Sequence, residues 1–283
     1  MAKNYRYELV GLLGDPVDEN PTGVTMEAAF AELGLQYRYL PLHVPAEKLA
    51  DAVAALRTLG FKGSHVTVPH KVEVLKYLDR ITPEAALMGA VNTLYFDEDG
   101  NLCGDNTDGR GFLVAMKEGG VTLAGANVLL LGAGGAARAI AVELANAGAA
   151  RIDIVNRGKE RGEELCALIN EKTACKAVLH AWQGDFAIPA DTTLLVQATS
   201  IGLYPDESCP ALDYSTLRSD ITVCDIVPNP PRTALIRRAE EAGCRTFTGL
   251  PMLVAQGAVS FKLWTGQDAP RAVMEAALAA DQG

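Results

Sequence analysis

The stretch Gly63–Leu75, which reads GSHVTVPHKVEVL, places one lysine at a junction between two apolar segments. Pro69 stops the first apolar segment, because proline cannot donate a hydrogen bond to a neighbouring strand. Lys71 follows at a predicted strand-to-helix turn, where a side chain can point into a cleft and exchange a proton with a substrate. The same pattern also fits a solvated lysine that opens a helix, and other parts of the sequence must decide between the two.

A second candidate for proton transfer lies in the stretch GDNTDGRGF. Asp108 is predicted in a turn that joins two domains, so its carboxylate could meet Lys71 in a cleft between them. A carboxylate in that position would hold the ammonium in place, and we predict the two residues to be the catalytic pair. Which of them is the formal acid or base stays open.

The stretch LLLGAGGAARAI has the glycine spacing of a dinucleotide-binding turn. Gly132, Gly134 and Gly135 are followed by Ala137, which stands at the last glycine of a GxGxxG pattern. An apolar strand precedes the turn, an amphipathic helix follows it, and RIDIVNR completes a βαβ unit. The alternative is a tight turn without a ligand. The context favours dinucleotide binding, with free N–H groups at the helix start facing a pyrophosphate.

The end of the second strand indicates which dinucleotide is bound. Enzymes that use NAD usually have a carboxylate there, whereas this chain has Asn156, followed by Arg157, Lys159 and Arg161. A neutral amide beside a guanidinium suits a 2′-phosphate, so we predict NADP, with NAD as a possibility. Nearby glutamates keep open the alternative that these cations form only a solvated helix start.

Composition limits the class of protein. A length of 283 residues predicts two domains, and a formal charge of −10 argues against a general nucleic-acid surface. No apolar run is long enough to span a membrane, and the first residues lack the layout of a signal peptide. Six cysteines without a CxxC pair and four scattered histidines predict neither a disulfide framework nor a zinc site. We therefore expect no metal and a cytoplasmic location.

Short apolar strands alternate with helical stretches along most of the chain, which predicts an α/β fold. VNTLYFDEDGNLCGDN is predicted to be a hairpin that turns at Asp99 and Gly100. We place a mixed α/β substrate domain at residues 1–105 and a Rossmann dinucleotide-binding domain at residues 106–244. Residues 245–283 are predicted to be helices that return to the substrate domain and complete it.

Taken together, the motifs VTVPHK, GAVNT, GDNTDGRGF, LLGAGGAARA, VNRGKER, QATSIGL and MLVAQGAVSFKLWTG resemble the landmarks of the shikimate dehydrogenase family. The resemblance runs from about Leu9 to Gly266. It implies a substrate domain, a Rossmann domain and reduction of 3-dehydroshikimate to shikimate with NADPH. It also places Lys71 and Asp108 at the positions of the family's catalytic pair.

The resemblance implies further site residues. Thr67, Asn92 and Gln256 match substrate-contacting positions, and Asn20 and Thr22 stand where the family has two serines that bind a carboxylate. The remaining cofactor positions that it implies are Ala133, Ala136, Thr199 and Gly249. Without the resemblance, each of the substrate residues would be interpreted as an ordinary strand, loop or helix residue.

Several positions depart from the family pattern, and they lie in the expected substrate shell. Glu19 brings a negative charge near the predicted carboxylate site, and Gly23 replaces a proline. The other departures are His65 and Gln197 for asparagine, Pro228 for tyrosine, Thr248 for aspartate and Pro251 for glycine. A polar pocket altered in this way can change substrate preference strongly.

We therefore predict an NADP-dependent oxidoreductase acting on shikimate, and a monomer or homodimer that binds a cyclic hydroxy carboxylic acid but no nucleic acid or membrane. Alternatives are a paralogue acting on quinate, an amino analogue of shikimate or another cyclic hydroxy acid. A methylene-tetrahydrofolate dehydrogenase and an NADP-binding regulator without turnover are further alternatives. The NTDG and QGA…FKLWTG motifs speak against the folate enzyme, and the lysine–aspartate pair speaks against the regulator.

Overall fold

The computed structural model describes residues 5–282, and the chain divides into two compact units. The first unit runs as far as Gly111 and resumes at Leu253, and the second comprises Phe112–Met252. The sequence predicted changes of domain after residues 105 and 244, so the structure differs by several residues at both places. As a consequence Asp108, which was predicted to lie in the second domain, belongs to the first unit together with Lys71.

The first unit is built on a six-stranded mixed sheet. Its strands are β1 (Glu8–Gly14), β2 (Tyr37–His43), β3 (Phe61–Val66), β4 (Arg80–Ile81), β5 (Thr93–Phe96) and β6 (Leu102–Asp105). Their order is β2-β1-β3-β5-β6-β4. Strands β1, β2 and β3 run parallel, whereas β5 and β6 form the antiparallel hairpin that the sequence predicted, with Gly100 at φ +81° in its turn.

Helices connect these strands. They are α1 (Thr22–Glu32), α2 (Leu49–Thr58) and α3 (Pro83–Met88). A fourth helix, α4 (Asp108–Glu118), follows β6 and contains the change of unit after Gly111. Strand β3 is followed by a turn and a short 3₁₀ helix at Glu73–Tyr77, where the sequence predicted a strand-to-helix turn. Lys71 lies in that turn.

The second unit has the parallel sheet that the glycine turn predicted. Its main strands are β7 (Asn127–Leu131), β8 (Arg151–Asn156), β9 (Lys176–Ala181), β11 (Leu194–Gln197), β13 (Thr222–Asp225) and β14 (Arg245–Phe247), and β10 (Phe186–Ala187) pairs separately with β12 (Leu212–Asp213). The order β14-β13-β11-β7-β8-β9 has its switch point beside β7, as in a Rossmann fold. Its helices are α5 (Gly135–Asn146), α6 (Lys159–Lys172) and α7 (Ala234–Glu241).

The last two helices are α8 (Leu250–Thr265) and α9 (Arg271–Gln282). From Leu253 onward they belong to the first unit, which confirms the predicted return of the C-terminal helices. Phe261 of α8 stacks on Phe30 of α1 with ring centroids 5.3 Å apart. Among the described residues, no helix is both long and apolar enough to cross a membrane.

One glycine explains how α8 reaches the central strand. A Cβ atom at Gly63 in β3 would lie 2.3 Å from Trp264 Nε1, closer than any real contact. With glycine there, Trp264 crosses the strand and donates a hydrogen bond from Nε1 to the Leu94 carbonyl at 2.8 Å. The close approach fixes α8 against β3 and β5, the strands that lead into the site.

Candidate active site

The turn that carries Lys71 is held on both sides of the lysine. His70 is 1% exposed and donates from Nε2 to the Val44 carbonyl at 2.7 Å. The carbonyl of Lys71 accepts a hydrogen bond from the Val91 N–H at 2.7 Å. With its backbone fixed in this way, Lys71 extends Nζ to Asp108 Oδ2 at 2.5 Å. Both side chains are largely buried, so the predicted pair meets inside the first unit.

Asp108 is held by two further contacts besides its ion pair with Lys71. Its N–H donates to Asn106 Oδ1 at 3.1 Å, which fixes the first residue of α4. Its Oδ1 accepts a hydrogen bond from Asn92 Nδ2 at 2.8 Å, while Oδ2 faces the ammonium of Lys71. Hydrogen bonds to a charged group are stronger than those between neutral groups, so the carboxylate is fixed in one orientation. The pair is neutral as a whole.

A buried polar cluster surrounds Asn92 and reaches α8. Asn92 Oδ1 accepts the Thr107 N–H at 2.8 Å, and Gln256 Oε1 lies 3.3 Å from Asn92 Nδ2 and 3.2 Å from the Thr107 hydroxyl. Thr93 and Ser260 share a hydrogen bond of 2.8 Å between their hydroxyl groups. The structure thus joins the predicted residues Asn92 and Gln256.

Sequence reasoning missed three members of that cluster, namely Thr93, Thr107 and Ser260. Two of them stand in NT pairs, one after the apolar run GAV and one in GDNTD. Polar pairs of this kind at buried strand ends need partners, and this signal could have pointed to both threonines. Ser260 lies on one face of α8 four residues after Gln256, and that spacing was its only signal.

Asn20 and Thr22 are in contact with each other. Asn20 Oδ1 accepts the Thr22 N–H at 3.0 Å and the Thr22 hydroxyl at 2.6 Å. A backbone N–H can only donate, so the atom that faces it must be the amide oxygen, and Asn20 Nδ2 points elsewhere. Thr22 is 3% exposed, and its single hydroxyl proton is donated to Asn20.

Behind Thr22 lie Tyr39 and His65. The Tyr39 hydroxyl is 2.8 Å from His65 Nδ1. Burial raises the pKa of Tyr39 well above its usual value, although a hydrogen bond with the Thr22 side chain lowers it in part. Burial and the nearby charge of Lys71 lower the pKa of His65 to about 3, so this histidine is neutral near pH 7. Its Nε2 is buried without a hydrogen-bond partner among the described residues.

Thr67 lies directly after β3, on the path from that strand to Lys71. Its N–H donates to the Leu13 carbonyl at 2.9 Å, and its carbonyl accepts the His70 N–H at 2.9 Å. A Cβ atom at Gly14 would lie 2.3 Å from Thr67 Cγ2, so this glycine leaves space for the Thr67 side chain. Thr67 therefore bridges the end of β1 and the turn of Lys71.

The glycine turn of the second unit has the form that a pyrophosphate requires. Gly132 has φ +108°, and a Cβ atom there would lie 2.8 Å from the Ala198 carbonyl oxygen. Ala133 is buried, whereas a Cβ atom at Gly134 would meet no atom within 4 Å. Gly135 and Ala136 open α5, whose first turn contains no acidic residue. N–H groups at this helix start can therefore face an anion.

The residues predicted to select the dinucleotide lie at the end of β8, which pairs with β7, and just after it. Asn156 donates from Nδ2 to the Gly158 carbonyl at 2.7 Å. Arg157 lines a cavity of about 360 Å³ whose lining also includes Trp182, Ser200 and Asp206. Lys159 forms an ion pair of 3.6 Å with Glu163, and Arg161 is exposed. Arg157 is thus the one of these three cations that lines the cavity.

Thr199 and Gly249 occupy different places in the second unit. Gln197 Oε1 accepts the Thr199 N–H at 2.5 Å, and a Cβ atom at Gly132 would lie 3.0 Å from Thr199 Cγ2. Thr199 therefore borders the glycine turn. A Cβ atom at Gly249 would lie 2.5 Å from the Ile226 carbonyl oxygen, so this glycine lies close to the backbone after β13. Among the departures from the family pattern, Pro228 follows Ile226 and Val227 in this backbone segment, and Thr248 and Pro251 lie on either side of Gly249 in the sequence.

Family models match three stretches of this chain. A shikimate dehydrogenase substrate-binding domain matches residues 12–94, shikimate / quinate 5-dehydrogenase matches 114–183, and a shikimate 5′-dehydrogenase C-terminal domain matches 249–279. A curated shikimate dehydrogenase (NADP(+)) from Methanopyrus kandleri is 44% identical over 274 residues, which are 95% of this chain and 94% of that protein. This chain belongs to the shikimate dehydrogenase family.

Two solved structures show how far the family likeness extends. A shikimate dehydrogenase in complex with NADP⁺ is 36% identical with a TM-score of 0.88, and the match covers 99% of this chain and 97% of that one. The ligand-free 5-ketofructose reductase of Gluconobacter sp. strain CHM43 is 44% identical with a TM-score of 0.87, covering 98% and 100%. The family fold, with its substrate domain and Rossmann domain, therefore covers 98–99% of the chain.

Proposed function

We propose that this chain is an NADP-dependent oxidoreductase that interconverts a secondary alcohol and a ketone, with shikimate and 3-dehydroshikimate as its first candidate substrates. The observation that carries the proposal is the buried ion pair between Lys71 and Asp108, beside the amide of Asn92. The curated relatives are NADP-dependent shikimate dehydrogenases, which supports the same reaction.

The residues of the second unit fit a dinucleotide. The open space at Gly134 and the helix start at Gly135 and Ala136 suit a pyrophosphate, and Arg157 beside a cavity suits a 2′-phosphate. Ala133 and Thr199 border the same turn, and these cofactor positions stay predictions, as do Lys159, Arg161 and Gly249. When it is bound, the cofactor supplies or accepts the hydride.

The residues of the first unit would handle the proton and the substrate. Lys71 would donate a proton to the carbonyl oxygen as the ketone is reduced and would take it back in the reverse direction, while Asp108 holds Nζ in place. Asn92, Gln256 and Thr67 would orient the hydroxyl groups. With shikimate as substrate, Asn20 and Thr22 would lie at its carboxylate.

Free cysteines accord with the proposed cytoplasmic location, since all six lie in the described residues and none is paired. A monomer or homodimer stays a prediction.

A second candidate is reduction of a neutral polyhydroxy ketone. A 5-ketofructose reductase that shares 44% identity with this chain supports this candidate, as does the hydroxyl proton that Thr22 donates to Asn20 instead of a ligand.

The test is an assay of NADP⁺ and NAD⁺ reduction with shikimate, quinate and aminoshikimate, and of NADPH oxidation with 5-ketofructose. Turnover of at least one substrate with a preference for NADP supports the proposal. Tight NADPH binding without turnover of any substrate would contradict it and favour a regulatory role. Turnover of the folate substrate alone would indicate methylene-tetrahydrofolate dehydrogenase activity.

A further inference from the structure

The Asn20–Thr22 segment offers fewer donors than its residue types suggest. Both lone pairs of Asn20 Oδ1 face Thr22, one toward its N–H and one toward its hydroxyl. The Thr22 proton is therefore used within the segment. Of the two side chains, only the Asn20 amide nitrogen is left with hydrogens to donate to a ligand.

The residues behind the segment add no further hydroxyl donor. In one arrangement, Tyr39 donates its proton to His65 Nδ1; in the other, His65 Nδ1–H donates to Tyr39 and the Tyr39 proton turns toward Thr22. In both arrangements the Tyr39 proton is donated to another residue of the protein, His65 or Thr22, and not to a ligand. Tyr39 and His65 are also 5% and 4% exposed, so they act by holding Thr22 and not by direct contact with solvent.

Charge at this end of the site is unfavourable for an anion. Asp18 and Glu19 directly precede Asn20, whereas Asp15, five residues before it, faces His43 Nε2 at 2.9 Å; no lysine or arginine lies in this stretch. His65 is neutral near pH 7, and the charge of Lys71 is balanced by Asp108. A carboxylate moved out of water needs several donors or a cation, whereas a hydroxyl group needs only one partner.

We infer that the Asn20–Thr22 segment receives an uncharged hydroxyl or hydroxymethyl end of the substrate, so that this chain prefers a neutral polyhydroxylated ketone or alcohol to a carboxylic acid. The inference rests on the proposed alcohol–ketone chemistry and selects between its two candidate substrates. Thr22 is then a positioning residue: it sets the direction in which Asn20 Nδ2 points.

The experiment compares shikimate with its analogue in which a hydroxymethyl group replaces the carboxylate, and with 5-ketofructose in the reducing direction. We expect kcat/KM for the hydroxymethyl analogue to exceed that for shikimate by about 10-fold or more. Glu19→Gln should narrow this ratio by raising kcat/KM for shikimate. The matched control Asp51→Asn removes a charge from an exposed position of α2 and should leave the ratio unchanged.

The role of Thr22 is tested by two variants. Thr22→Val keeps the shape but loses the hydroxyl, and it should raise KM for the neutral substrate about 10-fold with a smaller change in kcat. Thr22→Ser keeps the hydroxyl and should restore KM, a rescue that a purely structural role would not require.

Three outcomes are decisive. A wild-type preference for shikimate, or equal use of the two matched substrates, overturns the inference but leaves the proposed function standing. A preference for the hydroxymethyl analogue without the expected effects of Glu19→Gln and Thr22→Val also overturns it. Binding of NADPH without turnover of any substrate overturns the proposed function itself.

Discussion

The Asn92 side chain donates a hydrogen bond to Asp108 Oδ1 at 2.8 Å, and Lys71 occupies the other carboxylate oxygen. Asp108 is therefore held from two directions by groups on different elements, because Asn92 directly precedes β5 and Lys71 follows β3. Asn92 is 2% exposed. A change at Asn92 should disturb the position of the carboxylate without removing either member of the pair.

Asn92→Asp tests this relationship. A second carboxylate would face Asp108, so the two would repel each other or share a proton, and Lys71 would be drawn away from its position. We expect kcat to fall about 100-fold or more with NADPH affinity unchanged, measured by steady-state kinetics and by a cofactor titration. Asn146→Asp, which is exposed at the end of α5, is the control and should behave as the wild type. An unaltered kcat in Asn92→Asp would show that Asn92 does not position Asp108.

We predict that cofactor preference depends on the residues at the end of β8 and just after it. Replacement of Arg157 by alanine together with Asn156→Asp removes a cation beside the cavity and adds a carboxylate that repels a 2′-phosphate. The ratio of kcat/KM for NADPH over NADH should fall about 100-fold. The matched control is Lys172→Ala, which removes a positive charge at the C-terminal end of α6 and should keep the wild-type ratio. If the double variant keeps the wild-type ratio, another part of the chain selects the cofactor.

His65 makes the stability of the first unit depend on pH. Burial and the charge of Lys71 lower its pKa to about 3, against an ordinary value near 6.5. Between these values the unfolded chain binds a proton that the folded chain does not, so stability is lost as pH falls below about 6.5. Lowering the pH from 7.5 to 5 should cost about 2 kcal/mol through this residue.

The measurement is hydrogen exchange of peptides that contain β3, corrected for the intrinsic effect of pH on exchange. His65→Gln should show a weaker dependence on pH than the wild type. Equal dependence in the two proteins would mean that His65 takes up its proton in the folded state at an ordinary pH.

Asp225 should act in the opposite direction in the second unit. Burial raises its pKa to about 6, although hydrogen bonds from Thr233 and the Val227 N–H lower it in part. The folded chain then binds a proton that the unfolded chain has released, so stability is present at low pH and lost as pH rises through about 6. From pH 5 to 7.5 the loss should be about 1 kcal/mol. Hydrogen exchange of β13 peptides in the wild type and in Asp225→Asn measures it, and a wild type that gains stability over this range relative to the variant would refute the prediction.

Strong local signals explain what the sequence predicted well. Gly132 needs a positive φ and close backbone contact, and such a glycine between an apolar strand and a helix has few alternatives. The hairpin at Asp99 and Gly100 follows from turn chemistry of the same local kind. Lys71 and Asp108 were expected together because one was predicted at a strand-to-helix turn and the other in a turn between two domains. The family resemblance also placed both at the catalytic pair.

Other features depend on contacts that no local pattern carries. The change of unit falls inside α4, after Gly111. The helical pattern of α4 runs through this point without a turn or linker to mark it, so the sequence predicted the boundary several residues too early. Thr93 and Thr107 have β-branched side chains that suit any buried strand or turn. The bond between Asn20 and Thr22 depends on side-chain direction, which residue types alone do not give.

In the proposed reaction Lys71 moves the proton, and Asp108 holds the lysine side chain in place. The most direct measurement is a rapid-mixing, single-turnover experiment that follows NADPH absorbance in the wild type and in Lys71→Met with the preferred ketone. We expect the rate of hydride transfer to fall about 100- to 10,000-fold in the variant, with a Kd for NADPH within about 2-fold of the wild type. A hydride-transfer rate in Lys71→Met equal to that of the wild type would contradict the role of Lys71 in proton transfer.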